Sequence, residues 1–82
     1  MKSDESKQMI REFLRNLLVQ KKDTKPFGDD SSLILSARLD SIDTVELVLF
    51  LETAFGLKFG SGGLRRDQLD TVNTIDALVD HA

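Results

Sequence analysis

The residue best placed to do chemistry in this chain is Ser41, in the run Leu39-Asp40-Ser41-Ile42-Asp43-Thr44-Val45-Glu46. Asp40 is a good helix N-cap, and Asp43, three positions on, puts negative charge where the helix dipole favours it. Ser41 then becomes the first helical residue, its hydroxyl beside N–H groups that no preceding carbonyl accepts. Such a place takes a phosphate readily, because open donors and the positive end of the dipole converge there. On spacing alone the same serine also reads as one more polar residue in a capping sequence. Both readings stand at this point.

Little else in the chain could run a reaction. There is no cysteine, which removes thiolate nucleophiles, disulfides and thiolate metal sites, and the one histidine, His81, reads as exposed and idle. No spacing pairs carboxylates for acid–base work or gathers metal ligands, so neither an enzyme nor a metal site is expected. Gly60-Ser61-Gly62-Gly63 resembles a phosphate loop only superficially. It lacks the Lys-Ser/Thr that completes a P-loop, no convincing strand precedes it, and it reads as a flexible linker.

Helical elements must position Ser41. From Leu39 to Phe55 a 3.6-residue turn gathers Leu47, Val48, Leu51, Ala54 and Phe55 into one apolar stripe, predicted to be buried. The opposite side carries Ile42, Val45 and Leu49 with Glu46, Glu52 and Thr53 beside them, while Asp43 and Phe50 lie on a flank. Aliphatic side chains among carboxylates on an outer face predict a surface that is covered intermittently. Gly56 is placed to end this helix in the left-handed conformation.

An earlier helix is predicted from about Asp4 to Val19, with Met9, Ile10, Phe13, Leu14, Leu17 and Leu18 as its packing stripe. Lys21 and Lys22 past its end suit its dipole. The long connection from Gln20 to Arg38 holds Pro26, Gly28 and Asp29-Asp30-Ser31-Ser32, and needs apolar pins, for which Phe27, Leu33, Ile34 and Leu35 are the candidates. Leu57 and Phe59 should pin the chain again. Thr71 is expected to cap a last helix from about Val72 to Asp80, with Val72, Ile75, Leu78 and Val79 inside.

The stretch Leu39 to Val48 resembles the D-S-L/I signature of acyl carrier proteins and their peptidyl- and D-alanyl-carrier relatives. The likeness extends to Leu51-Glu52, Phe55, Leu69-Asp70-Thr71-Val72, Ile75 and Val79, and covers most of the chain from about Ser32 onward. It implies that Ser41 is esterified by 4'-phosphopantetheine, whose thiol carries an acyl or aminoacyl group as a thioester. It also implies a small all-α bundle of three main helices and one short one, with a long first loop. The place for the short helix is Arg65 to Leu69, with Leu64 and Leu69 turned inward. Leu39 to Val48 looks more like acyl than peptidyl carriers, while Leu-Asp-Ser-Ile, Phe55-Gly56 and Asp70-Thr71 keep a D-alanyl or aminoacyl carrier open. Where family members often have glycine before the motif, this chain has Ser36-Ala37-Arg38. Ala37 stands in the glycine's region, and Arg38 either pairs with the phosphate or lies in solvent beside Asp40.

The resemblance further implies docking through Asp40, Ile42, Asp43, Val45, Glu46, Leu49 and Glu52. Implied partners are a phosphopantetheinyl transferase and acyl-loading, condensing and acyltransferase enzymes of fatty acid, lipid or polyketide-type biosynthesis. A helical interaction module in which Ser41 only caps is the remaining alternative. Eighty-two residues suffice for a single domain with one modest core. A net charge of -3 disfavours nucleic acid as a partner, and is less acidic than is usual in the family. Without a long apolar run or a signal-peptide pattern, a monomer in the cytoplasm without membrane insertion is expected. Arg65 and Arg66 read either as a solvated turn or as charges that alter which enzymes dock.

Overall fold

Ile10, Leu14, Leu17 and Leu18 repeat at helical spacing, and in the computed structural model they form the buried stripe of α1, Lys2–Gln20. The structure describes residues 2–59 and 66–80. Met9, at the edge of the expected stripe, is 41% exposed. The helix stops in a Schellman arrangement: the Lys22 N–H donates to the Val19 carbonyl at 2.9 Å and the Asp23 N–H to the Leu18 carbonyl at 2.8 Å. Lys22 holds the left-handed corner at φ 63°, where glycine is commonest.

The second helix, α2, spans Ser41–Phe55 and ends at Gly56, left-handed at φ 67°, as the sequence predicts. Leu47 and Leu51 are fully buried, and Val48 and Phe55 pack partly against the core. Ala54, expected in the same stripe, is exposed. It lies near the end of the helix beside an open hollow that Met9, Phe55 and Leu57 also line, so the core does not reach it. Phe50 joins α2 to α1 by stacking on Phe13, ring centroids 4.2 Å apart and planes 9° from parallel, and meets Phe55 edge-on.

Where a short third helix is expected, Arg66–Leu69 makes a single 3-10 turn, with Leu69 buried. The last helix, α3, runs Val72–Asp80 and buries Val72 and Ile75 against a core shared with α1. Thr71 caps it reciprocally, accepting the Thr74 N–H at 3.0 Å while the Thr74 hydroxyl oxygen accepts the Thr71 N–H at 3.1 Å. The fold is thus all-helical, with three α-helices and no strand among the described residues. Expectations for Gly60 to Gly63, Leu64, Arg65 and His81 lie outside the described residues, as does the side chain of Arg66.

The connection from α1 to α2 has no regular structure, yet both sides of the fold hold it. The Arg11 guanidinium grips both Asp29 carboxylate oxygens, at 2.8 and 2.6 Å, and keeps that carboxyl below its usual pKa. Asn73 donates its N–H to the Asp29 carbonyl at 3.0 Å and its side-chain amide to Asp30 at 2.5 Å. Leu33 and Ile34 are buried as expected and Phe27 packs partly on the core. Leu35, a fourth candidate pin, is 66% exposed because the turn over residues 34–37 directs it outward. That turn closes with the Ala37 N–H donating to the Ile34 carbonyl at 3.0 Å, and puts Ala37 at φ 67°.

An alanine in this conformation strains against its own Cβ by about 1–2 kcal/mol. Ala37→Gly relieves that strain and gives part of it back as extra freedom of the unfolded chain. A net gain of about 0.5–1 kcal/mol is expected in chemical denaturation, with the slope unchanged.

Candidate functional site

The start of α2 is fixed by reciprocal hydrogen bonds. Asp40, extended at φ -104° and ψ -173°, accepts the Asp43 N–H at 2.9 Å, and the Asp43 carboxylate accepts the Asp40 N–H at 3.0 Å. Thr44 reinforces the corner, its N–H and its hydroxyl both donating to the Asp40 carbonyl at 3.0 Å. Ser41 is therefore the first residue of the helix, and its side chain is exposed.

Lys21 is the site residue that sequence reasoning misses. It follows the last residue of α1, and its ammonium reaches Asp40 at 3.0 Å and Asp43 at 2.6 Å, bridging the two carboxylates that flank Ser41 in sequence. The two hydrogen bonds, to Asp43 first and Asp40 second, hold the Lys21 pKa above its ordinary value. Asp40 is lowered to about 2, first by the Asp43 N–H and then by Lys21. No local pattern betrays this contact, because nineteen residues separate Lys21 from Asp40.

Arg38 does not lie in solvent beside Asp40. Its guanidinium donates to both Asp23 carboxylate oxygens, at 3.0 and 3.1 Å, and to the Lys25 carbonyl at 2.8 Å. The bond from Arg38 is the main cause of a lowered Asp23 pKa. The cation beside Asp40 is Lys21, and Arg38 instead folds the first part of the connection onto itself.

The outer face of α2 is apolar where the sequence indicates: Ile42, Val45 and Leu49 are 71%, 59% and 56% exposed. Steps of three and four residues set them on one side of the helix. Glu46 is exposed and Glu52 half-buried, whereas Asp43 turns inward and is only 7% exposed. Of the four carboxylates considered for docking, Glu46 and Asp40 are thus the most open to solvent. Beyond Leu49 an open groove of about 540 Å³ separates α2 from α1, with Phe13, Leu17 and Phe50 in its lining and Gln20 and Glu46 at its side.

Among the described residues no cluster of His, Cys, Asp or Glu could hold a metal ion, and no helix is long and apolar enough to cross a membrane. What this surface offers is an accessible hydroxyl at a helix start, with a part-apolar, part-acidic face running away from it. Compared with models of protein families, with curated proteins and with solved structures, the chain matches none.

Proposed function

We propose that the chain is an acyl carrier protein, which takes 4'-phosphopantetheine on Ser41 and presents acyl intermediates to partner enzymes of fatty acid, lipid or polyketide-type biosynthesis. The observation that supports this most is the exposure of Ser41 at the first position of α2, within a D-S-I run, ahead of three exposed aliphatic side chains. The residues present suit the group: a phosphodiester on Ser41 lies at the positive end of the helix, and Lys21 offsets part of the charge of Asp40 and Asp43. When bound, the prosthetic group supplies a thiol that carries the cargo as a thioester.

The chain's own residues do the remaining work, which is positioning and recognition rather than catalysis. The capping pair Asp40 and Asp43 fixes the direction in which the Ser41 hydroxyl leaves the surface. Ile42, Val45 and Leu49 give a partner a small apolar centre, and Glu46 and Glu52 speed its encounter if its surface is basic. An apolar centre of three side chains favours brief contacts, which a carrier visiting several enzymes needs. A flexible arm keeps the cargo at high effective concentration beside whichever enzyme has docked.

Incubation with coenzyme A and a phosphopantetheinyl transferase, read by intact mass spectrometry, tests the reading. The wild-type protein should gain the group completely, and Ser41→Ala should keep its original mass. A wild-type chain that stays bare would leave a helical interaction module in which Ser41 only caps.

A further inference from the structure

Asp70 is a buried carboxylate that the carrier reading does not use. It sits between the 3-10 turn and α3, only 7% exposed, and its Oδ1 accepts three hydrogen bonds. They come from the Ile34 N–H at 2.8 Å, the Leu35 N–H at 2.8 Å and the Ser32 hydroxyl at 2.9 Å. Its backbone carbonyl accepts the Leu33 N–H at 2.9 Å. Four donors from consecutive residues of the connection thus converge on one residue near the other end of the chain. Burial works against the charged form, but bonds from Leu35, Ser32 and Ile34 outweigh it and hold the Asp70 pKa below its usual value.

The connection continues from these donors to the site. Leu33, fully buried, accepts the Leu39 N–H on its carbonyl at 2.8 Å, which closes the loop back on itself. Leu39 is buried too, and the next residue is Asp40, the cap of α2. Position therefore passes from Asp70 to Leu33 and from Leu33 to Leu39 by short hydrogen bonds, and from Leu39 to Asp40 and Ser41 along the chain itself. The bond to Leu33 uses the Asp70 backbone, but the turn that follows depends on the carboxylate.

The geometry points to Asp70 as a positioning residue for the modification of Ser41, an inference that rests on the carrier reading. Without its carboxylate the segment from Ser32 to Leu39 loses its three-pronged anchor, so the Asp40–Asp43 cap that directs the Ser41 hydroxyl is itself less firmly placed. The docking residues on α2 are unaltered by that loss. A partner enzyme should then still bind the carrier, but find its nucleophile out of line.

The test is the steady-state rate of Ser41 modification with the carrier as the varied substrate, at a temperature where each variant is folded. Asp70→Ala should lower kcat about ten- to a hundredfold, the penalty of an ångström-scale misplacement, and leave KM within a few-fold. Asp70→Asn keeps an oxygen acceptor without the charge and should fall between. Ile75→Ala removes core packing from the neighbouring helix without touching the anchor, and should leave kcat near wild type. If Asp70→Ala does not fold, Asp70→Asn decides alone: faster amide exchange at Leu39 must accompany its lower kcat. Equal kcat values for the Asp70 and Ile75 variants would overturn the inference and leave the carrier reading standing. A wild-type protein that gains no mass would overturn both.

Discussion

Leu51→Ala is expected to destabilise the protein by about 3 kcal/mol, and Leu49→Ala, two residues earlier, by less than about 1 kcal/mol. Leu51 is fully buried in the core that α1, α2 and α3 share, so truncation removes contacts and leaves a cavity that the helices cannot fully close. In a chain of this length the loss lowers the melting temperature by more than about 10 °C. Leu49 is 56% exposed and lines the open groove beside α1. Under the proposed carrier function, its truncation should act on partners instead, raising KM for enzymes that load or transfer the cargo several-fold. Denaturant titrations set beside loading kinetics check both halves. If the two variants lost stability equally, the division of α2 into a packing face and a docking face would be wrong.

The second large effect is on stability at the extremes of pH. Asp40, at about 2, and Asp23, Asp29 and Asp70, all below the ordinary 3.8, bind protons more weakly in the folded chain than in the unfolded one. Their stabilisation is complete above the unfolded value and drains away as pH falls through the folded values, because the unfolded state takes up more protons there. Lys21 has the opposite sign. Raised above 10.5, it stabilises fully below that value, and the contribution disappears as pH rises through its folded pKa. These five groups therefore leave a plateau from about pH 5 to about pH 9, with the melting temperature falling as the pH is taken down toward about 2. In Lys21→Met the alkaline decline attributable to this group should vanish, and the acid decline should soften because Asp40 loses a partner. Circular dichroism melts across this range measure both arms, and a midpoint indifferent to acid would contradict the ion pairs.

What the sequence makes legible is whatever is decided within a few residues. The cap at Asp40, the left-handed Gly56 and the cap at Thr71 each follow from side chains within one turn of the helix end they close. The exposed trio Ile42, Val45 and Leu49 is legible too, since it departs from the single stripe a surface helix should show. The ties across the fold are not. Lys21 finds Asp40, Arg38 finds Asp23, and Asp70 finds Ile34 over thirty-six residues, and in each case nothing near either partner favours it over other charges. Ala54 and Leu35 err for a related reason. Periodicity gives the direction of a side chain but not how far the core extends along its helix, nor how an irregular turn rotates it.

The long connection illustrates what those distant ties do. Its twenty residues, 21–40, contain no helix, and such a segment is ordinarily where a protease first cuts a native protein. Here Arg11, Asn73, Asp70 and Arg38 hold it at intervals, two of them from other elements of the chain and one from the edge of α3. An extended strand of chain cannot be drawn into a cleft while its carbonyls and carboxylates are tied this closely. Digestion there must wait for the domain to open, and the segment that looks loosest in the sequence is cleaved only as fast as the whole unit unfolds.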